Sequence, residues 1–202
     1  MDKHFWTKFG FFGGHAGLDF INTIDDVEKT RALSGIPDWA TVLDWALAAK
    51  ILSCEEAKLL ARQDDDAAAQ GELAKLHRFR ESAWCVLSSV AAKQTPDEEE
   101  TAALSREIRW AIAQSFLDLN EGSFRWSVRE AEFGLKLVRA RLALAVSDLI
   151  SLQDLQRLKE CGRCTGLFLD HGRGRGRRWC RMNTCGNRTK TERFRAGPTK
   201  NS

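Results

Sequence analysis

Residues 161–195 read CGRCTGLFLDHGRGRGRRWCRMNTCGNRTKTERFR, and the reading of this stretch decides that of the whole 202-residue chain. Four of the six cysteines fall in it: Cys161, Cys164, Cys180 and Cys185. They are spaced as C-x2-C, fifteen intervening residues, then C-x4-C. Two close pairs joined by a loop of that length suit a tetrahedral thiolate site, because each pair turns tightly and aims two sulfurs at one point. Gly162 and Gly186, each directly after a cysteine, fit the unusual backbone angles expected of such turns. The expected ion is a single Zn2+, and four protein ligands close the site, so its role is structural. A redox pair at Cys161 and Cys164 would leave the second pair unexplained, and no strand–helix–strand pattern surrounds it. Apolar residues here are few beyond Leu167, Phe168, Leu169, Trp179 and Phe194, so metal is expected to stand in for core.

Charge divides the chain at the same place. From Cys161 onward there are 11 Lys or Arg against 2 Asp or Glu, a balance of +9, whereas residues 1–160 carry 20 basic and 26 acidic groups, a balance of −6. The net +3 therefore conceals an acidic body with a basic tail. Arg173, Arg175, Arg177 and Arg178 lie among Gly172, Gly174 and Gly176, and Arg181, Arg188, Lys190, Arg193 and Arg195 follow. Guanidinium forks match phosphate oxygens, and glycines let a backbone approach a surface closely. These nine residues are the candidate nucleic-acid contacts, with DNA the expected partner. RNA or single strands are the alternative, through stacking on Trp179, although Trp179 fits better packed beside the metal. In a competing reading, Arg177, Arg178 and Arg188 pair with the acidic body.

The run RRWC at Arg177–Cys180, then CGNR at Cys185–Arg188 and Lys190 two residues on, resembles the CGNR-type zinc fingers at the C-termini of proteins classed as bacterial transcription regulators. Leu167, Phe168 and Asp170 fit the same pattern. Two positions depart from it: the first pair is C-x2-C where many relatives are spaced more widely, and Gly172 stands where serine is usual. Near the other end, Leu18-Asp-Phe-Ile-Asn-Thr23 resembles the signature of the ABATE stress-regulator domain that usually precedes such a finger. Together the resemblances imply a mainly α (α+β) chain. Its helical N-terminal domain, with a small β element, would cover residues 1–156, followed by the four-cysteine finger and basic tail over 157–202. They also imply a transcription regulator whose N-terminal domain senses a ligand or a stress signal.

Patterning along the chain agrees with a mainly helical body. Leu18, Phe20 and Ile24, with Asp19 and Thr23 nearby, suggest a short strand or extended segment entering the core. Asp19, Asn22 and Thr23 are candidate ligand-binding groups; the alternative is that they only hydrogen-bond to nearby backbone. Helices are expected from Pro37-Asp38 and from a capping box at Ser53–Glu56 to about Arg62. Asp64 to Asp66 mark the next turn. A long stripe follows through Leu73, Leu76, Phe79, Ala83, Leu87 and Val90, then a helix from Asp97 with Leu104, Ile108, Ala111, Ile112 and Phe116 inward. Phe124, Trp126 and Val128 alternate as a strand that can pair with the N-terminal segment. Residues 130–152 return to helix, and 153–160 continue or cap it. No Gly-, Ser- or Pro-rich linker precedes Cys161, so the finger is expected to dock on the body.

Catalytic signals are sparse. There is no phosphate-cradling glycine motif and no G-x-S-x-G elbow, and His4, His15, His77 and His171 lack metal-ligand spacing. An enzyme is not expected; the alternative is a ligand-binding or enzymatic N-terminal domain with a purely structural zinc module. No run of 18 apolar residues is present and MDKHFWTKFGFFGG lacks a signal-peptide pattern, so no membrane partner and a cytoplasmic location are expected. Cys54 and Cys85 are expected to be buried as small hydrophobes. One finger rarely reads a long site, so a homodimer on two half-sites is a further expectation.

Overall fold

Helix boundaries fall where the sequence supplies caps. The computed structural model describes residues 10–24, 28–63, 65–120, 122–129, 133–172 and 176–196. Helix α1 (Ala16–Ile21) is capped by His15, whose ring nitrogen accepts from the Gly17 N–H. Asp38 opens α2 (Trp39–Ala48) and a capping box between Ser53 and Glu56 opens α3 (Cys54–Ala61). Asp65 caps the long α4 (Asp66–Ala91). Asp97 caps α5 (Glu98–Ala113), whose first turn carries Glu98, Glu99 and Glu100 against the helix dipole. An antiparallel hairpin follows, β1 (Phe116–Asn120) with β2 (Ser123–Ser127). Then come α6 (Leu137–Ile150), a 3-10 turn (Gln153–Arg157), and a second hairpin, β3 (Leu158–Glu160) with β4 (Leu167–Leu169). A π-helical turn (Met182–Gly186) leads into α7 (Asn187–Ala196).

Helix α4 is the axis of the body. It packs against α1, α5 and α6, and its buried Leu76, Phe79, Ala83 and Leu87 share one core with Leu104, Ile108 and Ala111 of α5. Phe20 stacks on Phe79 with ring centroids 5.4 Å apart and meets Trp45 at 6.1 Å. Each fully buried large side chain contributes roughly 1.5–3 kcal/mol of transfer free energy. Gly17 lets α1 lie close to α6, where an added Cβ would sit 3.3 Å from the Ala145 carbonyl and from Val146.

Four expectations are corrected. Residues 16–21 are helical rather than extended. Leu18, Phe20 and Ile21 are all buried because α1 is enclosed on several sides, and enclosure of that kind erases the one-sided helical stripe. Phe116 is not on the inner face of α5. That helix stops at Ala113, and Phe116 begins β1, which is the partner of β2 in place of the N-terminal segment. Residues 153–160 form the 3-10 turn and β3 rather than extending α6. Cys54 is exposed, because the capping box places it at the first position of α3, facing solvent, while Cys85 is half-buried. The turn residue Asp64 and the start of the helix expected from residue 130, residues 130–132, lie outside the described residues.

Buried charges are paired. Arg139 donates to Glu72 at 2.9 Å and lies 3.9 Å over the Trp110 ring, and both ionic side chains are almost fully enclosed. Burial pushes the Glu72 carboxyl up, but hydrogen bonds from Lys75 and Arg139 outweigh it and leave the pKa below the ordinary value. Arg139→Ala would leave Glu72 with Lys75 as its remaining cationic partner and is expected to lower stability by about 1.5–3 kcal/mol, measured by denaturant unfolding of the zinc-loaded chain.

Candidate metal centre and its basic surround

The β3–β4 hairpin reverses through Cys161–Gly166, where the Cys161 N–H donates to the Gly166 carbonyl at 2.9 Å. The Gly166 N–H donates to the Cys164 sulfur at 3.4 Å, helping to aim that sulfur inward. Cys180 ends the following loop, and Cys185 sits in the π-helical turn at the head of α7. The four Sγ atoms all lie within 4.8 Å of one another. Separations are 3.7 Å for Cys164–Cys180, 3.5 Å for Cys180–Cys185 and 3.7 Å for Cys185–Cys164. A tetrahedral zinc ion with Zn–S of about 2.3 Å has S···S edges of about 3.8 Å, whereas a disulfide needs about 2.05 Å. The cluster has the dimensions of a zinc site, and one structural ion held by these four cysteines is the fit.

Thiols this close cannot ionise independently. Hydrogen bonds from Cys164, then Cys180 and Cys185, drive Cys161 far below the ordinary thiol value. The Cys161 neighbour in turn drives Cys164 and Cys180 far above it. When bound, zinc supplies the positive charge that lets all four sulfurs be thiolate.

Space, rather than backbone angle, explains the glycines beside the cysteines. Neither Gly162 nor Gly186 has a positive φ. A Cβ on Gly162 would sit 2.8 Å from the Trp179 ring, and one on Gly186 would meet Met182 and lie 3.0 Å from Trp179. Trp179 thus packs beside the sulfurs with Phe12 and Phe168, as the sequence suggested. Phe194, counted with the finger's apolar residues, is instead 89% exposed on α7.

Asp170 organises the arginine loop. Its buried carboxylate accepts from Lys159 Nζ at 2.6 Å and from the N–H groups of Gly172 (3.0 Å) and Arg177 (2.9 Å). The Lys159 ammonium, aided by those N–H groups, holds its pKa at about 2. Gly176, at φ +73°, passes so close that any Cβ would strike this carboxylate. That glycine therefore serves the loop's own anchor.

The candidate nucleic-acid residues divide into two groups. Arg177 lies 4.0 Å over the Phe168 ring and donates to the Phe12 and Leu169 carbonyls, both at 3.4 Å. Arg181 covers Phe12 at 4.9 Å, and burial pulls its pKa down despite nearby Cys180 and Asp19. Arg177 is exposed yet lies along the finger's own rings and carbonyls, and Arg181 is half-buried with Asp19 of the body close enough to act on it electrostatically. Arg178, which stacks 4.7 Å over Trp179, and Arg188, Lys190 and Arg195 on α7 face solvent. Among the described residues none of these four makes an ion pair. Arg173, Arg175 and the side chain of Arg193 lie outside the described residues.

Asp19, Asn22 and Thr23 are brought together on and just after α1, each hydrogen-bonded to backbone. Asp19 accepts from the N–H groups of Phe12 (2.9 Å) and Gly13 (2.8 Å). Asn22 donates to the Leu167 carbonyl and accepts from the Leu167 N–H, both at 2.8 Å, imitating a strand against β4. Thr23 Oγ1 donates to the Phe20 carbonyl and receives the buried Arg80 guanidinium. Asp19 also borders a hollow of about 380 Å3 with Phe11, His15, Ala48 and Lys50. The finger is docked through further bonds: Trp84 Nε1 to the Thr165 carbonyl (3.0 Å), Arg31 to Thr165 Oγ1 (3.2 Å) and Ser88 to Glu160 (2.6 Å). Those three docking residues carried no sequence signal, because Trp84 reads as one more member of an apolar helix stripe.

Residues 14–152 match a family model named ABATE, described as "Putative stress-induced transcription regulator", and residues 157–197 match the CGNR zinc finger. No curated protein matches the sequence.

Two outcomes are expected. Elemental analysis should find one zinc per chain, lost together with finger structure in Cys185→Ser. Asp170→Asn should cost about 1.5–3 kcal/mol in denaturant unfolding at neutral pH, for the charged hydrogen bonds it removes. The sign follows from the depressed pKa: the carboxylate's contribution is complete above the ordinary 3.8 and disappears only as pH falls towards about 2.

Proposed function

This chain belongs to the ABATE family and ends in a CGNR zinc finger, and we propose on that basis that it is a transcription regulator whose finger binds duplex DNA. The observation that carries the reading is the set Arg178, Arg188, Lys190 and Arg195, solvent-facing on a zinc-organised module and free of ion pairs among the described residues. With four thiolates and one zinc ion, the segment from Cys161 onward has a charge of about +7. It is joined to a body of −6. A rigid basic face of that kind favours a polyanion, because bound counterions are released when phosphates are neutralised. Arg188 and Arg195 are seven residues apart, so they share one face of α7. Docking on helices α1 and α4 gives the face a fixed orientation rather than a tethered one.

The body's part in this reading is sensing. A small effector in the hollow beside Asp19 would lean on α1, and α1 carries Asn22, which is bonded to the finger's β4. No reaction is assigned to the body; its role is to bind and to transmit.

Titration of the zinc-loaded protein against random duplex DNA at several salt concentrations tests the DNA reading. Four phosphate contacts give a slope of log affinity against log salt of roughly −4, and Arg178→Ala/Arg188→Ala/Arg195→Ala should make it shallower by about 3. Equal affinity in the triple variant would overturn the reading. Markedly tighter binding to a single strand than to duplex would replace DNA duplex with the alternative target.

A further inference from the structure

The β1–β2 hairpin is patterned inside out. Alternate side chains of a strand share a face, and the register sets Leu117 opposite Trp126 and Leu119 opposite Phe124. These four large apolar side chains therefore lie on one face, and their exposures are 56, 44, 62 and 71% respectively. The other face carries Asp118 opposite Arg125, and Phe116 with the Arg129 guanidinium 4.3 Å over its ring. Strand β2 packs on α6, and Phe116 and Asp118 are half-buried where Leu117 and Leu119 are exposed, so the polar face is the one turned to the body. A hairpin patterned only for its own stability would put the apolar face inward.

Area and charge identify what covers the outer face. Taking roughly 150–250 Å2 for a whole aromatic side chain and somewhat less for leucine, the four expose on the order of 400–500 Å2. A standard interface takes about 800 Å2 from each partner, of which about 65% is apolar in homodimers, so about 500 Å2. The patch alone meets the apolar requirement of such an interface. It also bears no charged side chain. Twofold symmetry brings a patch against its own image, and a patch without charge meets its copy with no like-charge repulsion. A second acidic body of −6 could approach readily through a neutral window of this kind.

We propose that Leu117, Leu119, Phe124 and Trp126 form a twofold interface with the same face of a second copy of this chain. The inference is independent of the DNA reading, since it uses neither the finger nor its arginines. All four positions are exposed in the single chain, so polar substitutions there leave the body's core untouched.

Sedimentation equilibrium of the zinc-loaded full chain at micromolar concentration tests it. The wild type should sediment at about twice 22.8 kDa. Phe124→Asp/Trp126→Asp should halve the mass while keeping the helical signal and the zinc content, and Leu59→Asp, at an exposed leucine elsewhere, should remain dimeric. If the double variant loses its helical signal, Leu119→Lys supplies the same readout. A monomeric wild type overturns the proposal, including one that binds lipid vesicles or another protein through this face. A dimer that persists in the folded variants overturns it equally.

Discussion

The structure of the basic module depends on the convergence of four sulfurs from three places: a hairpin turn, the end of an arginine-rich loop and the turn leading into α7. Its strands β3 and β4 have three residues each, too few to be stable alone. Its apolar cluster is little more than Phe168 and Trp179 with Phe12 from the N-terminal segment. A thiolate zinc site contributes roughly 10–16 kcal/mol in small peptides, which dwarfs what those rings supply. Position follows from this constraint. The Cys161–Cys164 turn sets the hairpin, Cys180 ends the loop that Asp170 gathers, and Cys185 fixes where α7 and its basic residues begin.

The second constraint is polar and joins the finger to the body. Asn22 offers β4 a donor and an acceptor at strand-like distance, and Gly13 offers its carbonyl to the Leu169 N–H at 2.9 Å. Helix α4 adds Trp84 and Ser88. These bonds satisfy the exposed edge of a very short strand, which would otherwise leave backbone groups unpaired against the body. They also mean that a shift of α1 is a shift of the finger. Arg31 ties the same region together, with its guanidinium 4.6 Å over Trp84 and bonded to Glu81, Thr165 and the Ile21 carbonyl.

Much of this was legible in the residues because it is local. Caps at Asp38, Ser53 and Asp97, the long stripe of α4 and the cysteine spacing all act within a few positions. The errors arose where tertiary enclosure overrides local pattern. Helix α1 is buried on several sides, so its apolar residues show no single stripe and read as a strand. The β2 alternation was recognised, but its apolar side faces out, which no strand pattern can reveal by itself. Arginines close in sequence look equivalent, yet each lies over a different ring, Arg177 on Phe168, Arg178 on Trp179 and Arg181 on Phe12, and of the three Arg181 alone is half-buried. The docking role of Asn22 spans 145 residues and has no local signature.

Amide hydrogen exchange with and without zinc tests most directly whether the ion, rather than apolar packing, holds the basic module in place. The N–H groups of Cys161, Gly162, Leu167 and Leu169 are hydrogen-bonded within the finger or across its junction with the body. Chelating the metal should abolish protection at these four amides while those in the middle of α4 and α6 stay protected. Retained protection at Leu167 and Leu169 after complete zinc removal would contradict the account, because the finger would then be held by its packing and its bonds to the body alone.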